Sequence, residues 1–219
     1  MRCVCPLLKS PRVATYQRTW SPLFIVIIGV GGDFYRVQPG KDGDVLVVVG
    51  DVSGKGLRAA MTVSAIIGSL RIMAACGPAE ILCGLNHSLV GSLPGGFVTC
   101  LVAQLHANGS CTVANAGHLA PYRNGEEITV PPGLPLGIVA SADYTQMTVH
   151  LRRGDVLTFV SDGVVEARNT GGELFGFDRT RQISRQSAEA IAEAAQRFGQ
   201  EDDITVLTLE YSGAGLAHA

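Results

Sequence analysis

One glycine-rich stretch constrains the fold more than any other part of the sequence: Gly50-Asp51-Val52-Ser53-Gly54-Lys55-Gly56-Leu57-Arg58-Ala59-Ala60-Met61. The apolar, mostly β-branched residues 45–49 before it predict a buried strand, and a helical pattern over residues 57–75 follows it. A carboxylate where a buried strand ends is held by a rigid element while its head group reaches solvent. The stretch is not a P-loop, because its glycines are too closely spaced and its lysine is followed by glycine instead of Ser or Thr.

Three other acidic turns lie beside predicted strands. Asp33 follows an apolar run, Asp162 follows a strand pattern, and Asp202 and Asp203 precede one. Each of these alone is explained by ordinary turn or capping chemistry. Together with Asp51 they would form one acidic site if their strands stack. Carboxylate and carbonyl oxygens, without His or Cys, are the ligands that Mg²⁺ and Mn²⁺ prefer.

Hydrophobic periodicity predicts an α+β protein with mostly antiparallel strands. Strands are predicted at residues 23–30, 34–37, 44–49, 97–105, 110–114, 147–151, 155–160 and 204–209, and helices at 57–75, from 78 onward and at 187–199. Tight turns are predicted at 40–43, 107–109, 124–125 and 152–154, with Gly77 closing the first helix. Two consecutive helices between strand blocks argue against a doubly wound sheet. The pattern alone leaves two-layer and four-layer arrangements open.

Eight motifs, in chain order, carry a family resemblance: GGDFY, GDVSGKGLRAAM, FVTCLVA, NAGHLAP, GLPLGI, SDGVVEA, GELFG and EDDITVL. Between residues 31 and 209 the chain resembles the SpoIIE/RsbU-type bacterial protein phosphatases, the compact branch of the metal-dependent PP2C (PPM) serine/threonine phosphatases. The resemblance implies a four-layer αββα sandwich, with two antiparallel β-sheets flanked by helices. We expect this domain at residues 23–211, after a lead-in at 1–22 and before a tail at 212–219.

The same resemblance implies a role for each acidic residue. Asp51 corresponds to a carboxylate bridging two divalent cations, Mn²⁺ or Mg²⁺, and the Val52 carbonyl to a backbone ligand. Asp33 corresponds to a further acid of the cluster, and Asp162 and Asp202 to ligands of the first ion. Asp203 is less favoured than its neighbour. The implied nucleophile is a water activated by the two metals, with no covalent enzyme intermediate.

The implied activity is that of a metal-dependent phosphoprotein phosphatase. Its substrate would be phosphoserine or phosphothreonine on a regulatory protein, such as a STAS-type anti-sigma-factor antagonist. The alternative is a catalytically weak phosphoprotein-binding module that needs a partner for activation. The chain keeps Asp33, Asp51, Asp162 and Asp202, which favours the enzyme. Because no sensor segment is visible, we expect either an activating partner in trans or a longer protein of which this chain is a fragment. Residues 57–90 are a candidate surface for a homodimer or a switch.

Composition excludes several other classes of protein. The net charge is −2 and no Lys/Arg run is present, which argues against a nucleic-acid partner. The longest apolar run is about half the length that spans a bilayer, which argues against a membrane protein. Six cysteines without a CxxC pair predict reduced thiols in a cytoplasmic protein, with Cys100 and Cys111 in the core. Lys55 and Arg58 are assigned to a solvated helix start, and His118 to a structural role in a turn.

Overall fold

The computed structural model describes residues 19–20, 24–28, 31–73, 75–200 and 202–213. The predicted lead-in (1–22) and tail (212–219) therefore lie almost entirely outside the described residues, as do the ends of the first predicted strand. The elements are, in order, β1 (Phe24–Ile28), β2 (Asp33–Pro39), β3 (Val45–Val52), α1 (Leu57–Ile72), α2 (Pro78–Leu89), β4 (Val98–Leu105), β5 (Ser110–Ala116), β6 (Tyr122–Arg123), β7 (Glu126–Glu127), β8 (Gln146–His150), β9 (Val156–Val160), α3 (Asp162–Val165), α4 (Gly176–Ile183), α5 (Ala188–Gly199) and β10 (Ile204–Glu210).

The strands form two five-stranded sheets with antiparallel pairing. The first sheet has the order β1-β10-β9-β6-β7, and the second has the order β2-β3-β4-β5-β8. The inner faces pack on each other through apolar side chains of the central strands. Val47, Val49 and Leu101 come from the second sheet, and Phe159 and Leu207 from the first. The core between the sheets therefore fixes how the strand ends of one sheet lie against those of the other.

Helices cover both outer faces of the sheet pair. Leu70 of α1 and Leu85 of α2 pack with Val102 over the second sheet. Val164 of α3 and Ile191 of α5 belong to the cluster over the first sheet. The predicted α+β class is confirmed, and the layers follow the order αββα. Strand β3 is buried along nearly its whole length because both faces of its sheet are covered.

Two predicted hairpins are confirmed by their backbone conformation. Asp42 and Gly43 have φ values of 55° and 89° in the turn between β2 and β3, and Asn124 and Gly125 have 52° and 87° between β6 and β7. Consecutive left-handed residues match the twist of the paired strands, which ordinary turns do not. The turn between β2 and β3 fixes the register that places the acidic ends of these two strands opposite each other.

One prediction for a helix end was wrong. Gly77 does not close α1, which ends at Ile72; its N–H instead donates to the Glu80 carboxylate (2.9 Å), and Gly77 is the N-cap of α2 before Pro78. The predicted tight turn at residues 152–154 is confirmed, because the Asp155 N–H donates to the Arg152 carbonyl at 2.9 Å. The strands on its two sides do not pair with each other: β8 pairs with β5 in the second sheet and β9 pairs with β10 in the first. A tight turn signal gives the reversal of the chain but not the partner of the next strand.

Helix α1 does not bury the face that its apolar period predicts. Only Ala59, Ile66 and Leu70 of this helix are buried among the described residues, while Leu57 and Met61 are 78% and 64% exposed. A groove of about 640 Å³ runs between α1 and α2. The helix is apolar on more than one side, so its pattern could not show which side faces the sheet.

The cysteine prediction is confirmed where it can be compared. Cys100 and Cys111 are buried, and all four cysteines within the described ranges, which include Cys76 and Cys83, are free thiols. Cys3 and Cys5 lie outside those ranges. Among the helices of the described residues, none is both long and apolar enough to cross a membrane.

Candidate metal centre

The hairpin of β2 and β3 places Asp33 directly opposite Asp51. The two residues are register partners at the open end of the hairpin. Side chains of directly opposed residues lie on the same face of a sheet, with Cβ atoms about 5 Å apart. The sequence therefore brings together two carboxylates through a turn and a register alone.

Gly32 shapes the space beside this carboxylate pair. A Cβ atom at Gly32 would overlap both the carbonyl oxygen of Val52 and Oδ1 of Asp51, so these two oxygens border one small volume. The Val52 N–H donates to the Gly32 carbonyl at 3.1 Å, which holds the two segments together. A carboxylate oxygen and a carbonyl oxygen around a gap kept open by glycine are the donor types that hard cations take.

The other two predicted ligands come from the first sheet. Asp162 is the first residue of α3, immediately after β9, and Asp202 lies just before β10, the strand paired with β9. The predicted Ser-Asp-Gly turn is thus a helix start with Ser161 as its N-cap. Ser161 also ties the two strand ends together, because its N–H donates to the Thr205 carbonyl (2.9 Å) and its Oγ accepts from the Thr205 N–H (2.9 Å).

The electrostatics of Asp33 connect its turn with the turns of Asp51 and Asp162. The pKa of Asp33 is raised from 3.8 to about 7: burial is the largest cause, the Ser161 and Thr205 hydroxyls oppose it, and the charges of Asp51 and Asp162 add to it. Its Oδ2 is buried and finds no hydrogen-bond donor among the described residues. A buried carboxylate oxygen without a donor is costly unless a cation or a proton balances it.

The pKa values of Asp51 and Asp162 move in the same direction. Burial raises the pKa of Asp51 to about 6, followed by repulsion from Asp162, Asp202 and Asp203 in that order. Burial, followed by repulsion from Asp202, raises the pKa of Asp162. Acidic groups from both sheets therefore act on one another across the end of the sandwich, and divalent cations would relieve this repulsion.

Asp202 already has a cation beside it. Lys55 Nζ lies 3.0 Å from Asp202 Oδ1, and both side chains are largely exposed. Sequence reasoning assigned Lys55 to a solvated helix start and missed this contact, because the partners are far apart in the chain.

Asp203, the residue after Asp202, lies closer to the protein interior. A Cβ atom at Gly31 would overlap the Asp203 carboxylate, and a Cβ atom at Gly163 would overlap the Asp203 carbonyl.

The carboxylates converge without forming a closed cage. Among the described residues, no three His, Cys, Asp or Glu side chains are gathered closely enough to hold a metal ion as they stand. The like charges of these carboxylates repel one another, and Asp202 is paired with Lys55. The donor set nevertheless fits Mg²⁺ or Mn²⁺, because it consists of carboxylates and a carbonyl oxygen around glycine-lined space.

His118 has a structural role in the turn after β5, where it contacts the strand next to Asp51. Its Nδ1 is 3.0 Å from the Thr99 hydroxyl, and Thr99 is the register partner of Asp51. Asn115 exchanges two hydrogen bonds of 2.8 Å with the backbone of His118. Burial lowers the pKa of His118 to about 4, which keeps the ring neutral at physiological pH. The NAGH motif is therefore a support for the strand that carries Asp51.

Comparison with known proteins assigns the family. A family model described as Stage II sporulation protein E matches residues 41–212. The chain belongs to the SpoIIE family. A curated relative of this SpoIIE-family chain is the phosphoserine phosphatase RsbU of Bacillus subtilis, which is 28% identical over 199 residues. The match covers 82% of this chain and 59% of RsbU, so the chain spans about three fifths of the length of that relative.

Solved structures share the fold of this SpoIIE-family chain. The PP2C domain of SiaA from Pseudomonas aeruginosa has a TM-score of 0.73 at 24% identity, covering 86% of this chain and 85% of its own. RsbX, in a structure with magnesium, has a TM-score of 0.73 at 15% identity, covering 93% of this chain and 100% of its own. The predicted PP2C-like sandwich is confirmed.

Proposed function

We propose that this chain is a divalent-metal-dependent protein phosphatase that hydrolyses phosphoserine or phosphothreonine on a regulatory protein. One observation carries the proposal: Asp33, Asp51, Asp162 and Asp202 come from four separate turns, and their charges act on one another at one end of the sandwich. Several carboxylates in one place repel one another, and a purely structural ion pair does not require such a cluster. The similarity to a phosphoserine phosphatase supports the same reaction class.

The proposed ligands are Asp51, Val52, Asp162, Asp202 and, directly or through water, Asp33. Bound Mn²⁺ or Mg²⁺ would stabilise the charge of the phosphoryl transition state and make a water more acidic. Asp51 stands at the end of a strand paired on both sides, which holds its carboxylate in place. The Val52 carbonyl is fixed beside it by the hydrogen bond to Gly32. These residues supply orientation, and no side chain is assigned as a covalent nucleophile.

A regulatory role for the α1–α2 groove is part of the proposal. The groove begins at Leu57, the first residue of α1, shortly after Asp51 in the chain. Its lining includes the exposed side chains of Leu57 and Met61. An activating partner in trans, or a second copy of this chain, would cover these side chains. The substrate is proposed to be a phosphorylated regulatory protein of the STAS type. We further propose residues 23–211 as the phosphatase domain and a cytoplasmic location, which the free thiols support.

The alternative, a catalytically weak phosphoprotein-binding module that needs a partner, has two observations in its favour. The described carboxylates are not closed around a metal position, and Asp202 is engaged by Lys55. A module of this kind would bind metal weakly until a partner moved α1. Activity with metal alone distinguishes it from the enzyme.

Hydrolysis of p-nitrophenyl phosphate tests the proposal. Protein stripped with EDTA is expected to be inactive, and titration with Mn²⁺ or Mg²⁺ is expected to restore turnover to a saturating level. A phosphoserine protein should be hydrolysed under the same conditions, as followed by phosphate release. Turnover that is equal with EDTA and with Mn²⁺ would contradict the proposal. Saturable metal binding without turnover would favour the binding module.

A further inference from the structure

Lys55 is placed to act on the acidic cluster as a built-in cation. Its ammonium lies 3.0 Å from Oδ1 of Asp202. The effect of the Lys55 charge extends beyond this partner, because it also lowers the pKa of Asp162, and the charges of Asp203 and Asp51 act on Lys55 in return. The lysine is therefore coupled to acids from both sheets and not to Asp202 alone.

Lys55 lies between two glycines whose backbone is left-handed. Gly54 and Gly56 have φ values of 93° and 83°, and a Cβ at either position would meet nothing within 4 Å. The glycines are therefore needed for their left-handed backbone and not for lack of space. The Lys55 side chain is 67% exposed, so little packing opposes its release from Asp202.

We propose that Lys55 is an internal counter-cation that occupies Asp202 in the metal-free protein and competes with a divalent cation for this carboxylate. The inference rests on the proposed function, since it requires Asp202 to be a metal ligand. An ammonium at 3.0 Å from Asp202 Oδ1 neutralises part of the charge that a divalent cation would use and occupies space beside that oxygen. Metal binding must then break the ion pair, and the apparent affinity for metal is lowered accordingly.

Calorimetric titration of metal-free protein with MnCl₂ measures this competition. Lys55→Met keeps the length of the side chain and removes its charge, and we expect it to bind Mn²⁺ roughly two- to fivefold more tightly than the wild type, because exposed ion pairs are weak. Lys55→Arg keeps the charge and should bind like the wild type. In 0.5 M salt the difference between Lys55→Met and wild type should shrink, since salt screens an exposed pair.

Arg58→Met is the matched control, because Arg58 is an exposed cation close to Lys55 in the chain, in the first turn of α1. It should leave the Kd for Mn²⁺ nearly unchanged. In EDTA, Lys55→Met should also melt at a lower temperature than Arg58→Met, since the acidic cluster loses its counter-cation. An unchanged or weaker Kd in Lys55→Met, or an equal gain in Arg58→Met, would overturn the inference. If the wild-type protein bound no Mn²⁺, the proposed function would fail together with the inference. If the wild type bound Mn²⁺ and only the expected effect of Lys55→Met were missing, the inference alone would fail.

Discussion

Asp51→Asn is expected to lower kcat/KM for Mn²⁺-dependent hydrolysis by on the order of a thousandfold. Loss of one well-placed charge-stabilising group already costs about a hundred- to a thousandfold in enzymes, and Asp51 is proposed to serve two cations at once. The change is isosteric and removes a carboxylate whose pKa is already raised by burial to about 6. The variant should therefore fold at least as stably as the wild type in EDTA, because a charge disfavoured by burial and repulsion is removed. Initial rates on p-nitrophenyl phosphate over a Mn²⁺ titration measure the effect.

Asp143→Asn is the control for this variant. Asp143 is exposed and lies outside the acidic cluster, so its replacement should leave the rate and the metal dependence unchanged. If Asp51→Asn kept more than about a tenth of the wild-type rate, the bridging role would be wrong, because outer-shell partners of a metal alone are worth 10- to 100-fold.

Asp33→Asn is expected to stabilise the metal-free protein at pH 8 by about 2 kcal/mol, which corresponds to several degrees in Tm for a domain of this size. The carboxylate of Asp33 has a buried oxygen without a donor among the described residues, and its neighbours repel it. Asparagine removes the charge at nearly the same volume. Thermal unfolding in EDTA measures the gain, and with saturating Mn²⁺ the order should reverse, because the wild type binds the metal more tightly.

The pH dependence of this gain has a definite sign. The pKa of Asp33 is about 7 in the folded state against 3.8 ordinarily, so the folded state holds the proton more tightly. The stabilisation from this proton is complete below pH 3.8 and is lost as the pH rises through 7. The advantage of Asp33→Asn should therefore be large at pH 8 and small at pH 4.5.

Asp44→Asn provides a contrast of opposite sign. The Asp44 carboxylate is 2.7 Å from His106 Nδ1 and accepts from the Ala107 N–H at 3.0 Å, so its replacement should destabilise the protein. If Asp33→Asn also destabilised the protein in EDTA at pH 8, the Asp33 carboxylate would be a satisfied structural group. Its assignment to the metal centre would then fail.

The sequence predicts the parts of the site that depend on local rules. The turn at Asp42 and Gly43 sets the register of β2 and β3, and this register brings Asp33 opposite Asp51. The α+β class and most strands follow from periodicity for the same reason. Asp162 comes close to this pair only because one sheet packs on the other. A local pattern does not contain that packing, and the expectation came from the family resemblance.

The features missed by sequence reasoning are those that depend on contacts distant in the chain. Lys55 was assigned to solvent because its partner, Asp202, lies beside the last strand. The structural role in a turn predicted for His118 agrees with its hydrogen bonds to Asn115, but its contact with Thr99, the register partner of Asp51, was not predicted. The short helix α4 was missed because it buries only Thr180 among its described residues and lacks an apolar stripe. In each case tertiary packing outweighs the local pattern.

Diffraction from crystals soaked in Mn²⁺, with data collected at a wavelength where manganese scatters anomalously, tests the central claim most directly. We expect two anomalous peaks about 3.5–4 Å apart, as in two-metal phosphatases. The Asp51 carboxylate should lie between them, the Val52 carbonyl beside one, and Asp162 and Asp202 around the first. No peak next to Asp51 under conditions in which calorimetry shows saturated Mn²⁺ binding would contradict the claim that these four turns build a metal centre.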